Sequence, residues 1–179
     1  MRVIAGMLGG RQFDSPKSFR THPMSDKARG ALFNVLGDIE GLTVLDAFAG
    51  SGAIGFEAIS RGAASVVAID NDRTAQKVIA ANIQALGLHE RVKLIKAGTN
   101  AWLETNPESR FDIIVCDPPY NDLQLTVLQR LAGRLTDAGV LVLSWPGGKA
   151  APELHGLRQL ERKNYGDIAL VFYGNHVVV

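Results

Sequence analysis

The sequence predicts an α/β fold: a seven-stranded, mostly parallel sheet with helices on both faces, plus an N-terminal β-hairpin and helix extension. Three observations carry this. From Leu42 onward, apolar runs of strand length alternate with helical stretches, as repeated strand–helix units do. Residues 156–179 hold two apolar runs with no helix between them, which predicts an antiparallel edge. The chain has 179 residues, 46% of them hydrophobic and 21% charged, enough for one well-buried core. Residues 1–179 are therefore expected to form a single domain, with 1–40 the extension and 41–179 the sheet.

In chain order, "MRVIAGMLGGRQF" sets two short runs around a Gly-rich turn and predicts a hairpin or extended arm. "SDKARGALFNVLG" predicts a helix capped by Ser25 or Asp26, with Ala28, Leu32, Val35 and Leu36 as its inner stripe. "TVLDAF" (43–48) predicts the first strand of the sheet and "AIGFEAISRGA" its helix. "SVVAID" (65–70) is the second strand, followed by the helix "DRTAQKVIAANIQALG", which ends at Gly87. "RVKLIKA" is the third, with a short helix around "NAWLE". "FDIIVCD" is the fourth, followed by the helical "LQLTVLQRLAGRL". "GVLVLSW" is the fifth, and the last two strands join around Gly166.

Net charge is only +1, but it is unevenly spread. The first 29 residues carry six Lys and Arg against two Asp, giving +4 and leaving −3 for the rest. A basic arm on a near-neutral body suits a polyanion, with Arg2, Arg11, Arg20, Lys27 and Arg29 as candidate phosphate contacts; a merely solvated arm is the alternative. Cys116 is the only cysteine, so no internal disulfide can form and a reducing compartment is expected. Its apolar surroundings make it a core residue. No signal peptide or membrane span is expected, because no cationic start precedes a long apolar run. His22, His89, His155 and His176 lack metal-ligand spacing, so no metal is expected. Trp102 and Trp145 read as packing residues.

Two motifs carry chemistry. "LDAFAGSGAIGFEA" places a Gly-rich turn between a strand and a helix, which aims backbone N–H groups at a ligand. "AGSGAIG" satisfies the dinucleotide spacing through Gly50, Gly52 and Gly55, so the pattern alone does not separate NAD from other adenosine ligands. A β-carbon at Gly50 or Gly52 would collide with a close ligand. Asp46, just upstream, repels a pyrophosphate but suits a cation such as an amino acid's ammonium group. S-adenosylmethionine has that group and no phosphate. Asp70 ends the second strand, where an acid accepts ribose hydroxyls. Asp72 reads as a helix cap. Asn100 reads as a reader of the adenine edge, a helix cap, or both.

The second motif is "FDIIVCDPPYND". Asp117 offers a carboxylate, and the carbonyls of Asp117 and Pro118 add acceptors. Pro118 and Pro119 contribute no N–H. Such a rigid, donor-poor turn at a strand's carboxyl end suits an amine with two hydrogens to donate, held for in-line displacement. Tyr120 offers a face on which a base stacks, worth about 1–3 kcal/mol. Guanine presents two adjacent donors, N1–H and N2–H₂, which one carboxylate accepts together. Adenine would match an amide better. Asp117 therefore leans the reading toward guanine, with orientation and charge stabilisation as its role.

With these motifs the sequence resembles class I S-adenosylmethionine-dependent methyltransferases that act on amino nitrogens. More closely, it resembles the RsmD family of bacterial 16S rRNA guanine-N2 methyltransferases. "MRVIAGMLGGRQF", "SDKARGALFNVLG", "VLDAFAGSGAIGFEAISRGA" and "FDIIVCDPPY" carry the resemblance, which covers most of the chain. It implies a Rossmann-like catalytic core over 41–179 and an RNA-binding extension over 1–40. It implies a cofactor site at Asp46, Ala49, Gly50, Ser51, Gly52, Asp70, Asn71, Thr99, Asn100 and Asp117, and a guanine site at Asp117, Pro118, Pro119 and Tyr120. It also implies RNA contacts at Arg2, Arg11, Arg20, His22, Lys27 and Arg29. The expected partner is 16S rRNA in small-subunit particles, and the enzyme a cytoplasmic monomer. The chain has His22-Pro23-Met24 where the family often has Arg-Pro-Thr. The rival readings are an adenine-N6 methyltransferase of DNA or RNA using the same tetrapeptide, a NAD-dependent dehydrogenase, and a non-catalytic RNA-binding module.

Overall fold

A computed structural model describes residues 1–17, 24–119 and 122–175. The element order is α1 (Asp26–Leu36), β1 (Thr43–Asp46), α2 (Ala53–Ser60), β2 (Ser65–Asp70), α3 (Arg73–Leu86), β3 (Val92–Lys96), α4 (Thr99–Thr105), β4 (Phe111–Cys116), α5 (Leu125–Ala132), β5 (Leu135–Pro146), β6 (Leu157–Tyr165) and β7 (Ile168–Asn175). The strands form a seven-stranded sheet in the order β3-β2-β1-β4-β5-β7-β6. β7 is antiparallel to β5 and β6, while the pairings among β1 to β5 are parallel.

Alternation along the strands feeds two cores, one on each face. Val44, Ile113, Val115 and Val142 pack with α1, α2 and α3. Leu45, Ile114, Cys116, Leu141 and Leu143 pack with α4 and α5. The switch in strand order falls between β1 and β4, where chains leave the sheet toward opposite faces and open a crevice at the carboxyl ends of the strands. Asp112 staples the other end of β4. Its carboxylate accepts from the Thr43 N–H at 2.9 Å, the Thr43 hydroxyl at 2.8 Å and the Thr136 hydroxyl at 3.0 Å.

The arm is the expected hairpin, and two other elements differ from expectation. The arm folds back antiparallel through a bridge between Arg2 and Gln12, with the Val3 N–H donating to the Arg11 carbonyl at 2.9 Å and the Phe13 N–H to the Met1 carbonyl at 3.0 Å. Other backbone donors of the arm reach α2. Ile4 and Ala5 donate to the Glu57 carboxylate at 2.7 and 3.1 Å, Met7 to the Ser60 carbonyl at 2.8 Å and Leu8 to the Ser60 hydroxyl at 2.9 Å. Ser25 caps α1, but the buried stripe is Ala28, Arg29, Leu32 and Phe33, with Val35 and Leu36 only partly covered. β5 starts at Leu135 instead of Gly139, because Leu135 pairs with Phe111 before the register shifts to Val140 opposite Ile113. The polar Thr136-Asp137-Ala138-Gly139 hides that continuity in the sequence.

Glu57 is fully buried and ties the arm to α2. Besides the two arm N–H groups it accepts from Arg61 Nε at 2.7 Å and lies 3.8 Å from Arg29 Nε. Removing one partner of a buried ionic cluster strands the others. Glu57→Ala is expected to lower stability by about 3–5 kcal/mol, read as a fall in the urea midpoint.

Candidate active site

Asp46 ends β1 and lies opposite Val115 in the β1–β4 register, so Asp117 follows two residues along on the same face. The Ala47 N–H donates to the Val115 carbonyl at 3.0 Å, which closes the two strand ends together. The cofactor loop and the acid-proline-proline turn are therefore neighbours.

Asp46 is 1% exposed. Its carboxylate accepts from the backbone N–H groups of Gly55 and Phe48, yet Oδ2 makes no hydrogen bond within the described protein. Burial first, then repulsion from Asp117 and Asp70, pushes its pKa up to about 7. Asp117 is also pushed above the usual carboxylate range by burial, and a hydrogen bond from Ser144 works against that shift. Asp70 is raised by burial, opposed by the N–H groups of Asp72 and Gly50. Both charges acting on Asp46 are thus carboxylates, and its buried, unpartnered oxygen fits a cation. Among the described residues no group of three or more His, Cys, Asp and Glu side chains could hold a metal ion. An ammonium group on an organic ligand matches this chemistry, and S-adenosylmethionine carries one.

The glycines divide the work differently from expectation. Gly50 has φ +54°, and a β-carbon there would point into open space, leaving room for a ligand. At Gly52, φ is +80° and a β-carbon would fall 2.7 Å from the Phe56 ring, so the collision is with the protein itself. Gly52 is needed to let the loop turn into α2. The loop is stitched down by the Ala49 N–H to the Ile69 carbonyl at 2.9 Å and the Gly50 N–H to Asp70 Oδ2 at 2.7 Å. Ser51 is buried, Asn71 exposed. Asp70 also accepts from the Asp72 N–H at 2.8 Å, so it organises the loop at the end of β2. Asp72 caps α3 through the Ala75 N–H at 2.8 Å.

Beyond the third strand, Thr99 is buried and its hydroxyl donates to the Ala47 carbonyl, tying the β3–α4 connection to the β1 end. That hydroxyl is structural. Asn100 does not cap α4, whose N-cap is Gly98. It lies exposed in the first turn, with its amide donating to Glu104 at 3.2 Å and accepting from Arg130. Pro118 is buried and Pro119 exposed. The Pro119 carbonyl accepts from the Asp122 N–H at 2.9 Å.

The candidate phosphate contacts separate. Arg2, Arg11 and Lys27 are exposed, with Arg2 Nε 3.3 Å from Asp26. Arg29 is a correction: its guanidinium is buried, donating to the Arg2 carbonyl at 2.7 Å and to Asp26 at 3.0 Å, beside Glu57. It holds the arm on the core and does not face a phosphate. Arg20, His22 and Tyr120 lie outside the described residues. Trp145 is 4% exposed and donates Nε1–H to the Ala150 carbonyl at 2.9 Å, and Trp102 packs on Phe111. Sequence reasoning missed Ser144, whose signal was a lone hydroxyl in the apolar run "VLVLSW". It also missed Glu57, an acid within the apolar "GFEAI".

Residues 1–174 match a family described as "Conserved hypothetical protein 95". "Putative rRNA methyltransferase YlbH" of Bacillus subtilis is 31% identical over 180 residues, spanning 97% of this chain and 98% of that one. "Ribosomal RNA small subunit methyltransferase D" of Haemophilus influenzae is 33% identical over 124 residues, or 68% of this chain and 64% of that one. The solved structure of "Putative methyltransferase yhhF" from Escherichia coli superposes with a TM-score of 0.85 at 27% identity, covering 98% of this chain and 97% of that chain. The glycine loop, the Asp117 turn and the arm lie within the matched span, and this chain belongs to that family, the RsmD family.

Proposed function

We propose that the protein methylates the exocyclic N2 of a guanine in 16S rRNA, with S-adenosylmethionine as donor. The observation that carries this is the adjacency of Asp46 and Asp117 on one face of neighbouring parallel strands. A cation-seeking carboxylate thereby lies beside an amine-seeking one. The names of the two relatives, each an rRNA methyltransferase, support the substrate class.

Bound S-adenosylmethionine supplies an electrophilic methyl group. Asp46 would hold its ammonium, the Gly50 region would leave space beside the backbone, and Asp70 would accept from the ribose. Asn100, at the first turn of α4, is the candidate for the adenine edge. Asp117 and the Pro118 carbonyl would accept from the guanine N1–H and N2–H₂ and fix the amine nitrogen for attack. The amine proton becomes strongly acidic as the new bond forms, so no strong base is needed. Tyr120 is assigned the stacking face on sequence grounds alone. Arg2, Arg11 and Lys27, with Arg20 and His22 of the same arm, are assigned RNA contacts. The same reading makes the chain one domain, acting as a cytoplasmic monomer on small-subunit particles. No helix among the described residues is long and apolar enough to cross a membrane.

The test is incubation with small-subunit particles from a strain lacking this enzyme, then digestion to nucleosides and mass analysis. N2-methylguanosine is expected. Methyladenosine in its place would replace guanine with adenine as the target.

A further inference from the structure

The β4–β5 register brings one more polar side chain to the crevice. Val115 lies opposite Val142 and Cys116 opposite Leu143, so the next pair along is Asp117 and Ser144. Val115 and Val142 belong to the α1–α3 core, whereas Cys116 and Leu143 belong to the α4–α5 core. Alternation therefore turns Asp117 and Ser144 to the same face as Asp46. Ser144 is 1% exposed between two apolar neighbours, Leu143 and Trp145. A hydroxyl buried there is costly without a partner, and the Asp117 carboxylate is one group it meets.

Building on the guanine reading above, we propose that Ser144 is a positioning residue: its hydroxyl, beside Asp117 at the end of the neighbouring strand, holds that carboxylate with its remaining acceptors turned toward the guanine N1–H and N2–H₂. The protonation state matters because it changes the pattern displayed. An ionised carboxylate shows two acceptors, which complement guanine. A protonated one shows a donor beside an acceptor, the pattern of an amide, which complements adenine.

The surroundings push toward the protonated form. Burial raises Asp117, and Asp46, which the Asp117 charge repels, faces it from β1. On β4 itself, burial pushes the Cys116 thiol far up, so it stays neutral and brings no compensating charge. The hydroxyl from β5 is the contact that works the other way. Charge-assisted hydrogen bonds of this kind are about twice as strong as neutral ones.

Full-length Ser144→Ala and Ser144→Thr, assayed on small-subunit particles lacking the modification, test this. For S144A, kcat/KM for the particle is expected to fall about ten- to a hundredfold at neutral pH. Its acid limb should move to higher pH, since Asp117 then protonates more readily. S144T should restore both. S-adenosylhomocysteine affinity should stay within about twofold of wild type by calorimetry, which shows the variant folded. Wild-type kcat/KM in S144A, a loss of rate with an unmoved acid limb, or no recovery in S144T would each overturn the proposal. A wild-type enzyme that yields no N2-methylguanosine would overturn the underlying reading as well, and that result is seen before any variant is compared.

Discussion

Asp117→Ala is expected to lower turnover on small-subunit particles by at least about a thousandfold while S-adenosylhomocysteine still binds within a few-fold of its wild-type affinity. On the proposed reading the carboxylate is the charged group in the turn that would accept two guanine donors at once. Its removal leaves the Pro118 carbonyl to hold the amine, and the nitrogen loses the fixed approach that in-line displacement requires. One preorganised polar group at a reacting centre is commonly worth about 10²–10³ in rate, and lost orientation adds to that. Cofactor binding should survive because Asp46, Gly50 and Asp70 remain, and Asp46 even loses a repelling neighbour. Labelled-methyl transfer and titration calorimetry on the same preparation check this. Turnover within tenfold of wild type would remove Asp117 from the reaction.

Asp46→Asn should separate function from stability. Cofactor affinity is expected to fall about ten- to a hundredfold at pH 8, the usual worth of a charged hydrogen bond. Stability of the ligand-free protein should rise at that pH. Asp46 moves from an ordinary 3.8 to about 7 on folding. The folded chain thus holds this proton more tightly than the unfolded one. The resulting stabilisation is complete below about pH 4 and lost as pH climbs through about 7. Each unit of displacement corresponds to about 1.4 kcal/mol, so at pH 8 the ionised, buried carboxylate costs the ligand-free fold on the order of 4 kcal/mol. A neutral amide avoids that cost but imitates the Gly55 and Phe48 contacts imperfectly, so the expected net gain is roughly 2 kcal/mol. Urea midpoints at pH 8 and pH 5 check the sign: the advantage of D46N should shrink toward the lower pH. A variant no more stable than wild type at pH 8 would mean Asp46 is not held ionised against its surroundings.

The relation between these two acids shows where sequence reading reaches its limit. Each was legible alone, Asp46 from the strand before a glycine loop and Asp117 from a strand ending in two prolines. Their adjacency was an expectation of topology, and the Asp46–Val115 register makes it a fact. Arg29 shows the opposite outcome. By composition it belonged with Arg2, Arg11 and Lys27 in a basic arm. Docking of the arm against α2 buries it beside Glu57 instead. Nothing in "SDKARGALFNVLG" marks its arginine as interior, because the Arg2 carbonyl it donates to and the buried Glu57 beside it lie far away along the chain. Asn100 is similar, its amide being held by Arg130 from a separate helix.

From the sequence alone came the strands of the parallel sheet, with Ser65–Asp70 matching its expected bounds, and the two motifs at their ends. A strand covered on both faces must be apolar along its whole length, and the residues after it must turn, so both features are written locally. Only the tertiary structure decided which of the polar residues meet. Ser144 reaches Asp117, Glu57 gathers the arm, and Gly52 yields to Phe56 because of strand register and helix docking. Those contacts join segments distant in sequence, and in such contacts burial and charge set each side chain's chemistry.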